Sequence, residues 1–197
     1  MKLILTFLFV ILSSNSLCAL ELNGKFDQGN LIRGKTNVGS RIFVDDKKIK
    51  VSKEGFFAFG ISKDRKNDVV IKIIEKGVTQ KITKKIFKKV YKVQKIDGLP
   101  KKQVTPPKEV YSRIKADNKI ISKARSINSD LIFFNKDFIT PLKNSIITGV
   151  YGSQRILNGI PKSPHYGLDF AAKEGTKIKA MLDGVVTLAE KDLYYTG

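Results

Sequence analysis

The sequence predicts a mainly β protein made of two β-rich parts with a linker and a helix between them. Three observations carry this prediction. Short runs of β-branched and aromatic residues alternate with turn signals in the first half. A proline-containing stretch follows, in which apolar residues recur at helical spacing. Strand-like runs then return in the last part of the chain. The predicted order is a small immunoglobulin-like β domain over residues 20–99, a linker and helix over 100–129, and an antiparallel β domain over 130–197.

Residues 1–19 are predicted to be a secretory signal peptide that lies outside the fold. Lys2 precedes an apolar run over residues 3–12, and Ala19 marks the expected cleavage site. The run is shorter than the ~20 residues that a membrane-spanning helix needs. Lipidation at Cys18 is the rival interpretation, and this lone cysteine offers no intramolecular disulfide. We therefore expect a secreted or periplasmic protein of the cell envelope with no stable membrane span after cleavage.

The charge balance is strongly basic. The chain carries 37 Lys+Arg against 18 Asp+Glu, a formal net charge of +19. Nucleic acid is not the predicted partner, because the protein is expected to be exported and only six of its basic residues are arginine, the residue that reads base edges. Two interpretations stay open, a lysine-rich soluble surface and attraction to an anionic envelope polymer or membrane surface.

In the first β part, turn signals separate five predicted strands. These cover residues 31–32, 41–44, 56–59, 69–74 and 82–93. The last is ambiguous because Ile82, Ile86 and Val90 recur with helical spacing, but its β-branched content favours a strand. Residues 81–103 hold nine lysines and one acid, which indicates either a solvated face and linker or a contact with anionic wall material.

The middle of the chain predicts a linker and a helix. Residues 98–107 contain three prolines, which hold a chain extended. Thr105 is the predicted N-cap, with prolines at the first helical positions, and the helix is expected to run to about Asn128. Its apolar stripe is Val110, Ile114, Ile121 and Ala124. The helix is interpreted as a strut between the two β parts, with a lid over a cleft as the alternative.

The last part predicts an antiparallel sheet that is incomplete at Gly197. Asp183-Gly184 is a two-residue hairpin signal, and residues 138–142 form an entry segment. The predicted strands cover residues 131–134, 146–151, 176–181 and 185–189.

The chemistry is concentrated in residues 149–169. His165 is the only histidine of the chain, Asp169 follows four residues later, and Gly167 lies between them. On an ideal strand the two side chains share one face, and the glycine leaves room between them. An imidazole and a carboxylate form a suitable ligand pair for zinc, but such a pair is also a common hydrogen-bonded arrangement, so spacing alone leaves both interpretations open.

The residues around this pair carry a resemblance. They are GVYG over 149–152 with Arg155, Asn158-Gly159, Pro161, HYGLDFA over 165–171, Gly175-Thr176, Ala180 and DGVV over 183–186. In order and spacing, residues 138–197 resemble the lysostaphin/LytM-type zinc metalloendopeptidases that hydrolyse bacterial peptidoglycan. Residues 91–100 and 105–127 also resemble the amino-terminal parts of exported members of that family.

The resemblance implies a zinc site and a substrate. His165 and Asp169 would be two of three Zn²⁺ ligands, and Arg155 and Tyr151 would contact substrate. The family takes its third ligand and a further catalytic histidine from a His-x-His pair further along, so the catalytic residues of this protein are expected beyond Gly197. In an intact member, zinc activates a water and polarises the scissile carbonyl of a peptidoglycan peptide.

The function expected from the sequence is therefore an exported zinc metalloendopeptidase acting on peptidoglycan peptides, with the catalytic part truncated. The 197 residues as written are predicted to be inactive or nearly so, because affinity for the metal falls with each missing ligand. Two alternatives belong to other classes. One is a non-catalytic LytM-like regulator of wall hydrolases, and the other is a protein that binds an envelope polymer.

Overall fold

The computed structural model describes residues 19–195. Apart from Ala19, the predicted signal peptide lies outside the described residues, as do Thr196 and Gly197. The prediction of a mainly β protein is confirmed, with 31% of residues in strands and 14% in helices. The strands are β1 (Leu20–Asn23), β2 (Leu31–Thr36), β3 (Arg41–Val44), β4 (Lys47–Ile49), β5 (Phe56–Gly60), β6 (Val69–Glu75), β7 (Val78–Lys84), β8 (Val93–Ile96), β9 (Ile146–Gly149), β10 (Gln154–Leu157), β11 (Ile160–Pro161) and β12 (Asp169–Ala171).

Two antiparallel sheets in the first part of the chain share one hydrophobic core. Their strand orders are β1-β2-β5 and β4-β3-β6-β7. Inward-facing side chains alternate with exposed ones along β2 and β6, as expected for strands with one buried face. The largest fully buried side chains come from both sheets and are Phe57, Ile32, Ile42, Ile71 and Ile73. This shared core holds eight of the ten buried hydrophobic side chains among the described residues.

Tight hairpins set the strand order of the second of these sheets. Asp45 and Asp46 join β3 to β4 with φ of 48° and 63°, and Lys76 and Gly77 join β6 to β7 with φ of 47° and 80°. Two successive positive φ values define the type I′ turn, whose twist matches that of the flanking strands. Both turns lie between strands predicted from the sequence, but β4 itself was not predicted.

The linker forms two short helical turns before the main helix. α1 covers Lys101–Val104, a 3₁₀ turn covers Lys108–Val110, and α2 covers Tyr111–Arg125. The predicted N-cap was wrong, because Thr105 closes α1 by donating its backbone N–H to the Lys101 carbonyl. α2 buries no residue completely, and the predicted apolar stripe is its half-buried side. Lying on the surface, α2 reaches the end of the described chain, where Asp117 accepts a 2.9 Å hydrogen bond from the Tyr194 backbone N–H.

Two small sheets follow and carry the candidate site. β10 pairs with β11 in an antiparallel hairpin and with β8 in a parallel ladder, so a segment from before the linker enters a sheet formed after it. β12 pairs antiparallel with β9, and the register shifts between Asp169 and Phe170. A register shift of this kind re-aims the side chains beside it, and such irregularities are frequent next to functional sites.

Several predicted strands differ from the structure. The strand predicted over residues 82–93 ends at Lys84, because its partner β6 begins at Val69, opposite Lys84. Residues 131–134 lead into a 3₁₀ turn at Phe133–Asn135.

Within the described part of the chain, residues 176–181 and 185–189 form no strand, so the hairpin predicted at Asp183-Gly184 is absent. Two backbone hydrogen bonds join this segment to the chain around Pro141. Ile139 donates its N–H to the Met181 carbonyl, and Lys179 donates its N–H to the Pro141 carbonyl. Isolated bonds of this kind do not build a ladder.

Candidate metal centre

Three short pieces of chain bring the site together. Arg155 lies on β10, His165 lies in the loop that follows β11, and Asp169 is the first residue of β12. The loop is fastened at His165 itself. The backbone N–H of Gly152 donates to the His165 carbonyl at 2.7 Å, and the His165 N–H donates to the Ser153 carbonyl at 2.9 Å. These two bonds hold the imidazole in place although the loop has no regular structure.

His165 and Asp169 are in direct contact. The Nε2 atom of His165 lies 3.0 Å from Oδ1 of Asp169, and the imidazole is 12% exposed against 46% for the carboxylate. The predicted proximity of the two side chains rested on an ideal strand. The strand begins only at Asp169, so the proximity comes instead from the fastened loop.

Arg155 is the third member of the cluster. Its Nη2 atom donates to Oδ2 of Asp169 at 2.6 Å, which leaves Oδ1 facing His165. Arg155 therefore orients the carboxylate, whereas the family resemblance implied a contact with substrate. Its side chain is 30% exposed, and contact with substrate by its remaining donors stays a prediction.

Two glycines leave space around the pair. A Cβ atom on Gly149, the residue paired with Asp169 across the β9–β12 ladder, would overlap Oδ2 of Asp169 and lie 3.1 Å from Cε1 of His165. A Cβ on Gly167 would lie 3.4 Å from Nε2 of His165. In the sequence, Gly149 stands out only as the first residue of the GVYG segment. The space that Gly149 leaves for Asp169 and His165 depends on the register of β9 against β12, which no local sequence signal encodes.

The pair fits half of a zinc site. Neighbouring ligand atoms of a tetrahedral zinc with bonds of about 2.0–2.1 Å lie roughly 3.3 Å apart, close to the observed separation. A structural or catalytic zinc needs at least three protein ligands, however, and residues 19–195 contain no group of three His, Cys, Asp or Glu side chains that could hold a metal ion. The buried Nδ1 of His165 also lacks the hydrogen-bond partner that usually orients a ligating imidazole. Residues 19–195 therefore supply two ligands of such a site and not a third.

Other predicted or conceivable site residues are engaged elsewhere. Tyr151 packs edge to face on Tyr166, with ring centroids 6.1 Å apart. Its ring also lies against Gly29 of the first β part, where a Cβ atom would be 2.8 Å away, so it helps to join the two parts of the chain. Among the late acids, Asp183 pairs with Lys136 at 2.6 Å and Asp192 pairs with Arg113 at 3.0 Å.

Comparison with known proteins adds no family to these observations. The chain matches no protein-family model and no curated protein. Over residues 19–195, no helix combines the length and the apolar character that crossing a membrane requires.

Proposed function

We propose that this protein is an exported zinc metalloendopeptidase of the LytM type that acts on peptidoglycan peptides, with the present residues supplying part of the metal site. The observation that carries the proposal is the contact between His165 and Asp169 inside a glycine-lined frame. Arg155 supports it by holding the second carboxylate oxygen, which leaves Oδ1 of Asp169 in contact with Nε2 of His165.

The finer domain assignments belong to the same proposal. Two antiparallel sheets around one core support an immunoglobulin-like domain in the first part. The β9–β12 pair and the β10–β11 hairpin support a LytM-type sheet in the last part. The signal peptide and export to the cell envelope are proposed from the sequence alone.

The described residues offer two ligands where a zinc site needs three, so we expect no zinc-assisted hydrolysis from them alone. The proposal requires two further histidines that residues 1–197 do not contain. Reading the coding sequence past Gly197 tests this directly. A His-x-His pair there is the expected result, and a stop codon with no histidine would contradict the enzyme proposal.

Zinc titration of residues 20–197 against a chromophoric chelator tests the half site itself. We expect weak, substoichiometric binding that His165→Ala and Asp169→Asn both remove. Asp183→Asn is the matched control, because that carboxylate pairs with Lys136 outside the cluster and its loss should leave the titration unchanged. Zinc binding that survives His165→Ala would contradict the assignment. Hydrolysis of peptidoglycan by this fragment, abolished by chelator, would contradict its predicted inactivity.

A non-catalytic regulator of wall hydrolases is the second candidate function. The observation that favours it is the lack of a third metal ligand among residues 19–195. It predicts that the protein stimulates a separate wall hydrolase equally well with and without His165, whereas the enzyme proposal predicts no such stimulation.

A further inference from the structure

A basic groove of about 490 Å³ lies on the first β part, between the loop after β5 and the segment that follows β7. We name it the lysine groove. It is lined by five cationic side chains and one carboxylate, Asp64. The cations are Lys63, Arg65, Lys66, Lys88 and Lys89. Neither the candidate metal centre nor its glycine frame includes any of these residues.

A buried glutamine ties the two rims of the groove together. Gln28 is 8% exposed, and its Nε2 donates to the Arg65 carbonyl at 2.6 Å on one rim. Its Oε1 accepts the Lys89 backbone N–H at 3.1 Å on the other rim. The Tyr91 hydroxyl donates to the Gln28 carbonyl at 2.9 Å, which fixes the aromatic ring beside the groove. The shape of the groove is therefore set before any ligand arrives.

The cations of the groove divide into paired and unpaired groups. Arg65 is bound to Asp45 and Lys63 to Asp64, and each of these contacts raises the pKa of its basic partner. Lys66, Lys88 and Lys89 are exposed and belong to no ion pair formed within residues 19–195. Like charges held together in this way repel one another and attract an anion.

The aromatic ring adds a second kind of contact. The Nζ atoms of Lys63 and Lys89 lie 5.4 and 5.8 Å from the Tyr91 ring centroid. Tyr91 also packs so closely on Gly152 that a Cβ atom there would overlap the ring. Gly152 donates its backbone N–H to His165, so the groove ends close to the candidate metal centre.

We propose that the lysine groove binds a linear polyanion that carries no nucleobases, whose phosphate or carboxylate groups contact Lys66, Lys88 and Lys89 while an adjoining sugar or chain atom packs on Tyr91. An open groove with exposed ammonium groups on both rims suits repeated charges on a strand better than one enclosed anion. Ammonium groups are point charges without the planar fork of arginine, so they bind anionic groups without reading base edges. The proposal does not depend on zinc.

The test compares two triple variants of residues 20–197, each of which removes three exposed lysines. The groove variant is Lys66→Gln/Lys88→Gln/Lys89→Gln. The control is Lys115→Gln/Lys119→Gln/Lys123→Gln, which removes the same charge from the exposed face of α2. Binding of poly(glycerol phosphate), poly-L-glutamate and a 15-nucleotide DNA strand is measured by fluorescence anisotropy in EDTA over a range of salt concentrations.

We expect the groove variant to bind poly(glycerol phosphate) or polyglutamate at least ~10-fold more weakly at low salt, with a salt slope smaller by about two to three, since three counterion-releasing contacts are lost. The control should lose less than about twofold. Whichever polymer binds more tightly identifies phosphate or carboxylate as the source of the charge. Equal losses in both variants would overturn the groove, and tightest binding to the DNA strand would overturn the assigned ligand class. Because EDTA is present, neither result bears on the metal proposal.

Discussion

Substituting Gly149 by alanine tests whether this glycine makes room for the His165–Asp169 pair. Gly149 does not have a positive φ, so its backbone accepts alanine without strain. The added Cβ atom would overlap Oδ2 of Asp169 and lie 3.1 Å from both Cγ of Asp169 and Cε1 of His165. The carboxylate therefore has to retreat if alanine is to fit.

The size of the effect follows from the bond that the carboxylate makes. A retreat on the order of 1 Å restores ordinary van der Waals contact. The same movement stretches the 2.6 Å bond between Oδ2 and Nη2 of Arg155 beyond hydrogen-bond range. A charge-assisted hydrogen bond contributes about 1.5–3 kcal/mol, and the partial exposure of both partners reduces this to about 1 kcal/mol. We expect Gly149→Ala to lower the free energy of unfolding by that amount and to weaken zinc binding further.

Urea unfolding at pH 7 measures the effect, with Gly184→Ala as the control. A Cβ on Gly184 would meet nothing within 4 Å, so the control should stay within about 0.5 kcal/mol of the parent. The decisive measurement is a double-mutant cycle with Arg155→Gln. Both substitutions remove the same bond to Asp169, so their effects should fall short of additivity by about 1 kcal/mol. Fully additive losses would refute the reasoning.

Two further predictions concern the first β part. Arg65 donates a hydrogen bond that lowers the pKa of Asp45 in the folded protein, so this stabilisation is present above the unfolded pKa of about 3.9 and is lost as pH falls through the folded pKa. Asp45→Asn should therefore cost about 1 kcal/mol at pH 7 and progressively less on acidification, and a constant difference in urea midpoints between pH 7 and pH 2 would contradict this. Gly34→Ala should cost about 2–3 kcal/mol in thermal unfolding, because a Cβ there would strike the buried Phe57 ring. Gly60→Ala, which meets open space, should be nearly neutral, and equal costs at the two positions would show that the ring is not the cause.

Local features of the fold were predictable from sequence because local chemistry determines them. Asn158-Gly159 combines a residue that tolerates positive φ with a glycine and forms a tight hairpin turn, as does Lys76-Gly77 through its glycine. The core strands were predicted from short runs of β-branched and aromatic residues between turn signals, a composition that suits a sheet with one buried face. The contact of His165 with Asp169 was expected from their spacing, but it depends on a loop that Gly152 and Ser153 hold in place.

Nonlocal pairing could not be predicted in the same way. Nothing in the residues of β8 indicates that it will lie parallel to β10, which begins 58 residues after β8 ends. The pairing of Arg155 with Asp169 likewise depends on two separate ladders. The strands predicted over residues 176–181 and 185–189 had suitable composition, but a strand forms only where a partner edge accepts its hydrogen bonds.

The parallel ladder between β8 and β10 changes how the candidate site should be studied. β10 carries Arg155, and its edges are covered by the two-residue strand β11 and by β8. Asn158 adds to the contact between the β8 segment and the β10–β11 hairpin, because its side chain exchanges hydrogen bonds of 2.7 and 3.0 Å with the backbone of Leu99. A fragment that begins at residue 100 therefore lacks the partner that supports the strand of Arg155. Failure of such a fragment to bind zinc would reflect a displaced arginine as readily as a missing ligand, and for that reason the metal titration uses residues 20–197.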